Sequence, residues 1–129
     1  MSVRKPKFVI NNSNFEKKNF SNQDRNFSLI NKSKFFNCSF EYTLFKETKL
    51  NDVIFKDCDL TGVVLRGSEF HNVEFNNCKM GKSEFQAGVF KNSKIVNSAC
   101  IDIKIRGSYF SNSEIANSDF SNSDLNRVI

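Results

Sequence analysis

Large apolar residues recur at every fifth position of this chain. From Ile30 to Leu125 there are twenty positions whose number is divisible by five, and each holds an apolar residue, although only 39% of the chain is hydrophobic. The series reaches back to Ile10, with Arg25 as its single interruption. Residues five apart lie about 140° apart around a helix, and they lie on opposite faces of a strand. Neither element explains the period, so each five-residue unit is predicted to form one side of a coil.

A second inward column lies two residues before each apolar centre. From Ser28 to Val128 it holds mainly Ser, Cys, Thr, Val and Gly, with Ile103 as its largest member. The other three positions hold most of the Asn, Lys, Asp, Glu and Gly, so they predict an outer surface. Asn and Gly tolerate turn conformations, which predicts a bend in every unit.

A spacing of twenty residues indicates the number of sides. Members of both inward columns recur at this spacing and form the predicted core stack: Phe35, Phe55 and Phe75 among the large residues, and Cys38, Cys58 and Cys78 among the small ones. Twenty residues make four units, so the predicted coil has four sides. Residues twenty apart would then stack at about the 4.8 Å spacing of strands. The whole chain, residues 1–129, is predicted to be one domain of about six coils.

Units such as "CSFEY", "CDLTG", "VEFNN", "SEFQA", "SYFSN" and "SDFSN" have a central Leu or Phe preceded at two residues by a small residue. In this the chain resembles the pentapeptide-repeat proteins, and the likeness covers residues 28–129 and reaches back towards Phe8. The resemblance implies an all-β fold, a right-handed quadrilateral parallel β-helix with four repeats per coil. The segment 21–29 departs from the pattern, and with Arg25 in a core slot we expect a distorted corner or small loop there, with Phe27 in its place. Residues 1–7 are expected to be flexible.

Qnr-type quinolone-resistance proteins share this repeat pattern, which implies binding to DNA gyrase and topoisomerase IV, in part by mimicry of a DNA duplex. Mimicry requires a strongly negative surface. Residues 1–34 instead carry eight basic and two acidic residues, a net charge of +6, while the rest of the chain is near neutral within a total of +5. The chain is also shorter than the Qnr-type proteins, and no C-terminal dimerising helix follows Leu125.

Candidate catalytic and metal-binding residues are scarce. His71 is the only histidine and is predicted to face solvent. Stacked thiols do not form a tetrahedral metal site, and the chain has no Cys-x-x-Cys motif, so Cys38, Cys58 and Cys78 are interpreted as packing residues. We therefore expect no enzyme activity, no metal and no cofactor. An enzyme would need a cleft, and no insertion is long enough to form one.

Outward apolar residues are the main functional signal. The candidate protein interface comprises outward residues that fall within about one coil: Val89, Val96, Ile101, Tyr109, Lys104 and Arg106. Leu44 and Val64 form a smaller strip. A cluster of this kind can mark an interface or arise by accident. A homodimer through this patch, or through the C-terminal coil that lacks a cap, is a second candidate.

The expected function is a non-enzymatic rigid scaffold for an unidentified protein partner. The alternatives are Qnr-like modulation or protection of topoisomerases, and a secreted bacterial effector or receptor-type module. Direct nucleic-acid binding is not expected because the body carries no basic stripe. A membrane location is not expected, because no apolar run reaches spanning length. The N-terminus lacks the apolar region of a signal peptide, and four unpaired cysteines fit reduced thiols, so a cytoplasmic location is expected. Secretion by a route that does not use a signal peptide is also compatible with the sequence.

Overall fold

The protein is a four-sided parallel β-solenoid, seen in a computed structural model that describes residues 6–125. Its strands are β1 (Val9–Asn11), β2 (Asn14–Glu16), β3 (Leu29–Phe36), β4 (Lys49–Lys56), β5 (Glu69–Asn76), β6 (Val89–Lys91), β7 (Lys94–Val96), β8 (Tyr109–Ser111) and β9 (Glu114–Ala116). All of them pair in parallel with partners twenty residues away. The predicted all-β class and four-unit coil are thereby confirmed.

The four sides are named here as walls, and each wall has six stacked levels. Wall 1 is centred on residues 10, 30, 50, 70, 90 and 110, wall 2 on residues 15 to 115, wall 3 on residues 20 to 120, and wall 4 on residues 25 to 125, each in steps of twenty. Strands β3, β4 and β5 cross walls 1 and 2 without a break. Walls 3 and 4 are joined level to level by single parallel bridges. From the first level to the sixth the chain makes about five turns, slightly fewer than the six coils predicted.

A left-handed residue turns the chain at each corner. Every fifth residue from Asn12 to Asn122 has a positive φ, between 48° and 71°. Most of these residues are Asn, Asp or Gly, the types that adopt this conformation at least cost. At many of the corners that follow walls 3 and 4, a backbone hydrogen bond also closes a four-residue turn. Thr43 N, for example, donates to Phe40 O at 3.1 Å. The bend predicted for every unit is confirmed.

The corner at Asn97 offers a direct test of this geometry. Asn97 is exposed and has a φ of 52°, a region that is costly for a β-branched side chain. We expect Asn97→Val to lower the free energy of unfolding by about 1–2 kcal/mol. In chemical denaturation, Asn97→Gly should stay close to the unaltered protein. Equal losses for the two variants would mean that φ at this corner is unimportant.

The core consists of the two inward columns, and the residues of the predicted core stack lie in it. Phe35, Phe55 and Phe75 lie face to face, with ring centroids 5.1 and 5.0 Å apart and interplanar angles of 9° and 4°. Rings on adjacent walls meet edge to face, as Phe35 and Phe40 do at 5.1 Å and 78°. Cys38, Cys58 and Cys78 are 2% exposed and fill the narrow space behind the corner between walls 2 and 3.

Residues 21–29 differ from the expectation of a loop. Asp24 pairs with Leu44, and the amides of Arg25 and Phe27 donate to carbonyls one level along, at 2.7 and 2.8 Å. No residue is inserted. Phe27 stands at a corner with a φ of 62° and does not replace Arg25 in the core.

Arg25 keeps its core slot because this slot lies in the first level, where the guanidinium is only partly buried. Its Nε donates to Gln23 Oε1 at 2.7 Å, and its guanidinium lies 4.9 Å from the Phe8 ring centroid and 5.8 Å from that of Phe20. A cation over aromatic faces is stabilised by the ring quadrupole. The expected flexibility of residues 1–7 falls mainly outside the described residues. Lys7 is described, and its amide donates to the Phe27 carbonyl at 2.8 Å.

Candidate interaction surfaces

The stacked thiols behave as packing groups. Cys58 Sγ donates to the carbonyl oxygens of Phe35 and Lys56 at 3.2 and 3.3 Å. Contact with the Cys58 thiol and burial together raise the pKa of Cys78. On wall 3, burial and the nearby Asp119 carboxylate raise the pKa of Cys100 to about 12. The Cys78 and Cys100 thiols therefore stay protonated near neutral pH, so they are poor nucleophiles.

The raised pKa of Cys100 predicts a loss of stability in alkali. The unfolded chain releases this thiol proton near pH 9 whereas the folded chain holds it up to about pH 12. The stabilising contribution is therefore complete below pH 9 and falls as pH rises towards 12, by up to about 1.4 kcal/mol per pH unit. Denaturation of the unaltered protein and of Cys100→Ala between pH 8 and 11 would measure it. A stability difference between the two proteins that stays constant with pH would contradict it.

Within residues 6–125 the structure brings together no group of three His, Cys, Asp or Glu side chains able to hold a metal ion. His71 lies on wall 1 between Asn51 and Lys91, partly exposed as predicted. The hydroxyls of the small column bond to the backbone, as Ser108 Oγ does to the Phe85 carbonyl at 2.7 Å. These groups serve the packing of the coil.

A groove of about 490 Å³ follows the corner between walls 2 and 3, above the thiol column. Its floor includes Cys38, Cys58 and Cys78, and its rim includes Asn37 and Asn97. The thiols beneath it are almost inaccessible. The groove follows from the regular corner geometry and presents polar side chains to solvent.

The six residues of the candidate interface do not form a single patch. The structure places them on all four sides of the rod: Val89 and Tyr109 on wall 1, Val96 on wall 2, Ile101 on wall 3, and Lys104 and Arg106 on wall 4. One coil contains only twenty residues, so neighbours in sequence are distributed around its circumference. An interface made of all six would have to surround the rod.

Part of the set does come together around one corner. Val89 and Tyr109 are paired on adjacent strands, and Tyr109 is 44% exposed. Arg106 is exposed on the neighbouring edge of wall 4, with only Gly107 and the buried Ser108 between it and Tyr109. An exposed Tyr beside an exposed Arg is a combination enriched at the energetic centres of protein interfaces.

Val89 and Tyr109 belong to a longer row that sequence reasoning missed. The pairing of β1, β3, β4, β5, β6 and β8 aligns one outward residue from each level, defined here as the wall 1 row: Val9, Leu29, Lys49, Glu69, Val89 and Tyr109. Lys49 Nζ lies 3.7 Å from Glu69 Oε2 in the middle of the row. Reading every twentieth residue from Val9 would have revealed it.

A second apolar strip lies on wall 4, beside its corner with wall 3. Leu44 and Val64 are paired as the sequence suggested, and Leu44 is 37% exposed whereas Val64 is almost buried. The ring of Tyr42, 51% exposed, covers Gly62 so closely that a Cβ atom there would lie 2.3 Å from Tyr42 Cε1. This glycine leaves the space in which the Tyr42 ring lies.

Residues 28–101, more than half of the chain, match the family model described as a pentapeptide repeat region. The chain belongs to the pentapeptide-repeat family. A search of curated proteins finds no match to the sequence.

Solved pentapeptide-repeat structures resemble this one at low sequence identity. A trypsin-treated form of QnrB1, a plasmid-mediated fluoroquinolone resistance protein, is 14% identical with a TM-score of 0.47, over 94% of this chain and 72% of that chain. A protein from the thylakoid lumen of Arabidopsis thaliana is 17% identical with a TM-score of 0.48, over 72% of this chain and 63% of that one. HetL of Nostoc sp. strain PCC 7120, involved in heterocyst differentiation regulation, is 9% identical with a TM-score of 0.35, over 95% and 87%.

No helix that could cross a membrane is present between residues 6 and 125.

Proposed function

We propose that this pentapeptide-repeat protein is a rigid scaffold without enzymatic activity that binds another protein through its outer walls. The observation that carries the proposal is the outward placement of Val89 and Tyr109 on a flat wall, beside Arg106. Most large apolar residues of the described chain instead fill the two inward columns and form the buried core. Members of the family are generally scaffolds rather than enzymes.

Site-specific photocrosslinking in cells would test this role. A photoreactive phenylalanine analogue in place of Tyr109 should give a discrete adduct with one other protein. The same analogue in place of Asn117, an exposed corner residue at the same end of the rod, serves as the matched control. Loss of the adduct when Arg106→Glu is added would support binding through the surface that includes Tyr109 and Arg106. The same adducts at both positions, or none at Tyr109, would contradict it.

Binding to a type II topoisomerase is the finer form of this proposal. Family membership supports it, and QnrB1 is described as a fluoroquinolone resistance protein. The charge pattern does not favour duplex mimicry, because basic and acidic residues alternate along the walls, as Lys34, Glu74, Lys94 and Glu114 do on wall 2. Supercoiling by gyrase, with and without a fluoroquinolone, would show inhibition or protection if the proposal holds. No effect at a large molar excess would exclude it.

A cytoplasmic site of action completes the proposal. The four cysteines among the described residues are free and buried, which suits a reducing compartment. Self-association is a further form of the scaffold role. Ile115 and Leu125 are 45% and 51% exposed in the last level, as a pairing through the C-terminal coil would require.

A further inference from the structure

The wall 1 row has the same chemical order from either end. Two apolar residues, Val9 and Leu29, precede Lys49, and after Glu69 two apolar residues follow, Val89 and Tyr109. Val9 and Tyr109, at the two ends, are 52% and 44% exposed. The centre therefore holds a base next to an acid, and each half is an apolar pair.

We propose that this wall binds a second copy of the chain, with the two rods antiparallel. The twofold axis lies in the plane of the interface and runs across wall 1 between Lys49 and Glu69. Such an axis places Lys49 opposite the partner's Glu69. It places Leu29 opposite the partner's Val89, and Val9 opposite the partner's Tyr109. Each contact occurs twice, as an isologous interface requires. The row therefore meets itself with apolar groups on apolar groups and opposite charges in the centre.

The adjacent outward column of wall 1 is compatible with the same axis. It holds Asn11, Asn31, Asn51, His71, Lys91 and Ser111. The axis places Asn51 opposite the partner's His71 and Asn31 opposite the partner's Lys91. No like charges meet in this column. Amide groups can hydrogen-bond to either side chain.

The side chains at the corner between walls 4 and 1 would also match in size across this interface. In its first three levels it carries Lys7, Phe27 and Glu47, and in its last three Gly67, Ala87 and Gly107. The same axis sets the large half of one copy against the small half of the other. A Cβ atom at Gly107 would meet nothing within 4 Å, so this corner has space for a neighbour's side chain.

The other arrangements match less well. Parallel rods, related by a twofold axis along the middle of wall 1, would place Lys49 opposite the partner's Asn51 and Val89 opposite the partner's Lys91, so apolar residues would meet polar ones. On wall 2 the antiparallel axis would place Lys34 opposite the partner's Lys94, and on wall 4 it would place Asp24 opposite the partner's Asp124. Wall 3 would pair Asp59 with the partner's Lys79 but has no apolar pair in that row. Like charges across an interface disfavour it strongly.

The association should be weak. The wall 1 row spans roughly 24 Å at the strand spacing of about 4.8 Å. A wall one unit wide covers less than the roughly 800 Å² per partner of a standard interface. Lys49 and Glu69 are largely exposed, so their pairing sets specificity and geometry more than affinity. A second copy of the chain is one partner of the proposed scaffold, and binding of a different protein does not depend on this dimer.

Charge reversal tests the twofold axis on the purified full chain. By sedimentation velocity from about 10 µM to about 1 mM, the unaltered protein should shift from monomer to dimer. Lys49→Glu alone and Glu69→Lys alone should each raise the dissociation constant at least about tenfold, because each brings like charges together at the centre. A mixture of the two variants should form a heterodimer, because opposite charges then face each other. Arg66→Glu is the matched control, since Arg66 forms an ion pair with Glu84 at the same 3.7 Å on wall 4.

Cysteine crosslinking then tests the antiparallel direction. Proteins carrying Asn11→Cys and Ser111→Cys should crosslink when mixed, and neither should crosslink alone, since residues at opposite ends of the wall face each other. The native thiols are buried and should not interfere. A protein that stays monomeric up to about 1 mM would overturn the proposal. So would a dimer unaffected by both reversals, or crosslinking of Asn11→Cys with itself. None of these results bears on the photocrosslinked adduct of Tyr109 with another protein.

Discussion

Replacing Phe55 by alanine is expected to lower the free energy of unfolding by about 3–5 kcal/mol. Phe55 is 2% exposed and lies between two parallel rings, with centroids 5.1 Å from Phe35 and 5.0 Å from Phe75. It also meets the edge of Phe40 at 5.5 Å. The backbone levels above and below are fixed by strand pairing, so the cavity cannot close by a local collapse, and the loss should lie near the upper end of this range.

Urea denaturation with circular dichroism would measure this loss. Phe36→Ala, an outward phenylalanine one residue from the same stack, is the matched control and should cost much less. Phe55→Leu keeps most of the volume and should lie between them. Similar losses for Phe55→Ala and Phe36→Ala would mean that the ring stack does not hold the coil together.

Val63→Asp is expected to be the most damaging single change at neutral pH. Val63 is fully buried in the small inward column of wall 4, between Thr43 and Ser83. Burial there would raise the pKa of the new carboxyl far above its ordinary value. At pH 7 this shift would cost up to about 4 kcal/mol, in addition to about 1–3 kcal/mol for burying a polar group. Most single domains have little more stability than this, so the variant should be largely unfolded.

The pH dependence separates charge from packing in this variant. Because the folded-state pKa is raised, the penalty is absent below about pH 4 and grows as pH rises towards the folded-state value. Val63→Asn carries the polar and steric cost without the charge and should show little of this dependence. An aspartate variant as stable as the asparagine variant at pH 7 would show that water reaches this column.

The sequence was sufficient to predict the inner architecture because every inward slot has the same physical requirement. A slot that faces the axis must exclude water, so apolar residues at every fifth position mark it whatever their identity. Phe, Leu, Ile, Met and Cys100 all occupy the large column. The spacing of Cys38 from Cys58 and Cys78 was enough to indicate four sides, since a different number of sides would not stack them.

Arg25 shows where this reasoning failed. A charged residue in a core slot predicts a distorted corner or a small loop, yet the backbone continues in register through Asp24 and Phe27. The five-residue period indicates which position faces the core, but not how deeply that position is buried. In the first level the guanidinium extends past the edge of the core and contacts Gln23 and two rings. Similarly, Phe27 takes a corner conformation that its side chain alone would not suggest.

The residues of the candidate interface are spread over four walls for a geometric reason. Val96, Ile101 and Tyr109 are close in sequence but lie on three different walls. In a coil of twenty residues, surface neighbours are separated by twenty residues, as Val89 and Tyr109 are. Leu29, Lys49 and Glu69 were overlooked because each is unremarkable within its own unit. Their common wall appears only when the strands are in register.

This geometry has a consequence for function. Two positions in five are fixed by packing and a third by the corner conformation, so the other two outward positions can change with little effect on stability. Any specific binding must therefore depend on the pattern of outward residues along a wall. The proposed scaffold role and the proposed wall 1 dimer both require that the walls are rigid and that residues twenty apart stay stacked.

Pulsed electron paramagnetic resonance tests that requirement most directly. Spin labels in place of Asn31 and Ser111, four levels apart on wall 1, should give one narrow distance distribution centred near about 19 Å, although eighty residues separate them in sequence. The buried native thiols should not take up label under native conditions. A broad distribution, or a mean far above about 30 Å, would contradict the stacked, rigid solenoid on which the proposed function depends.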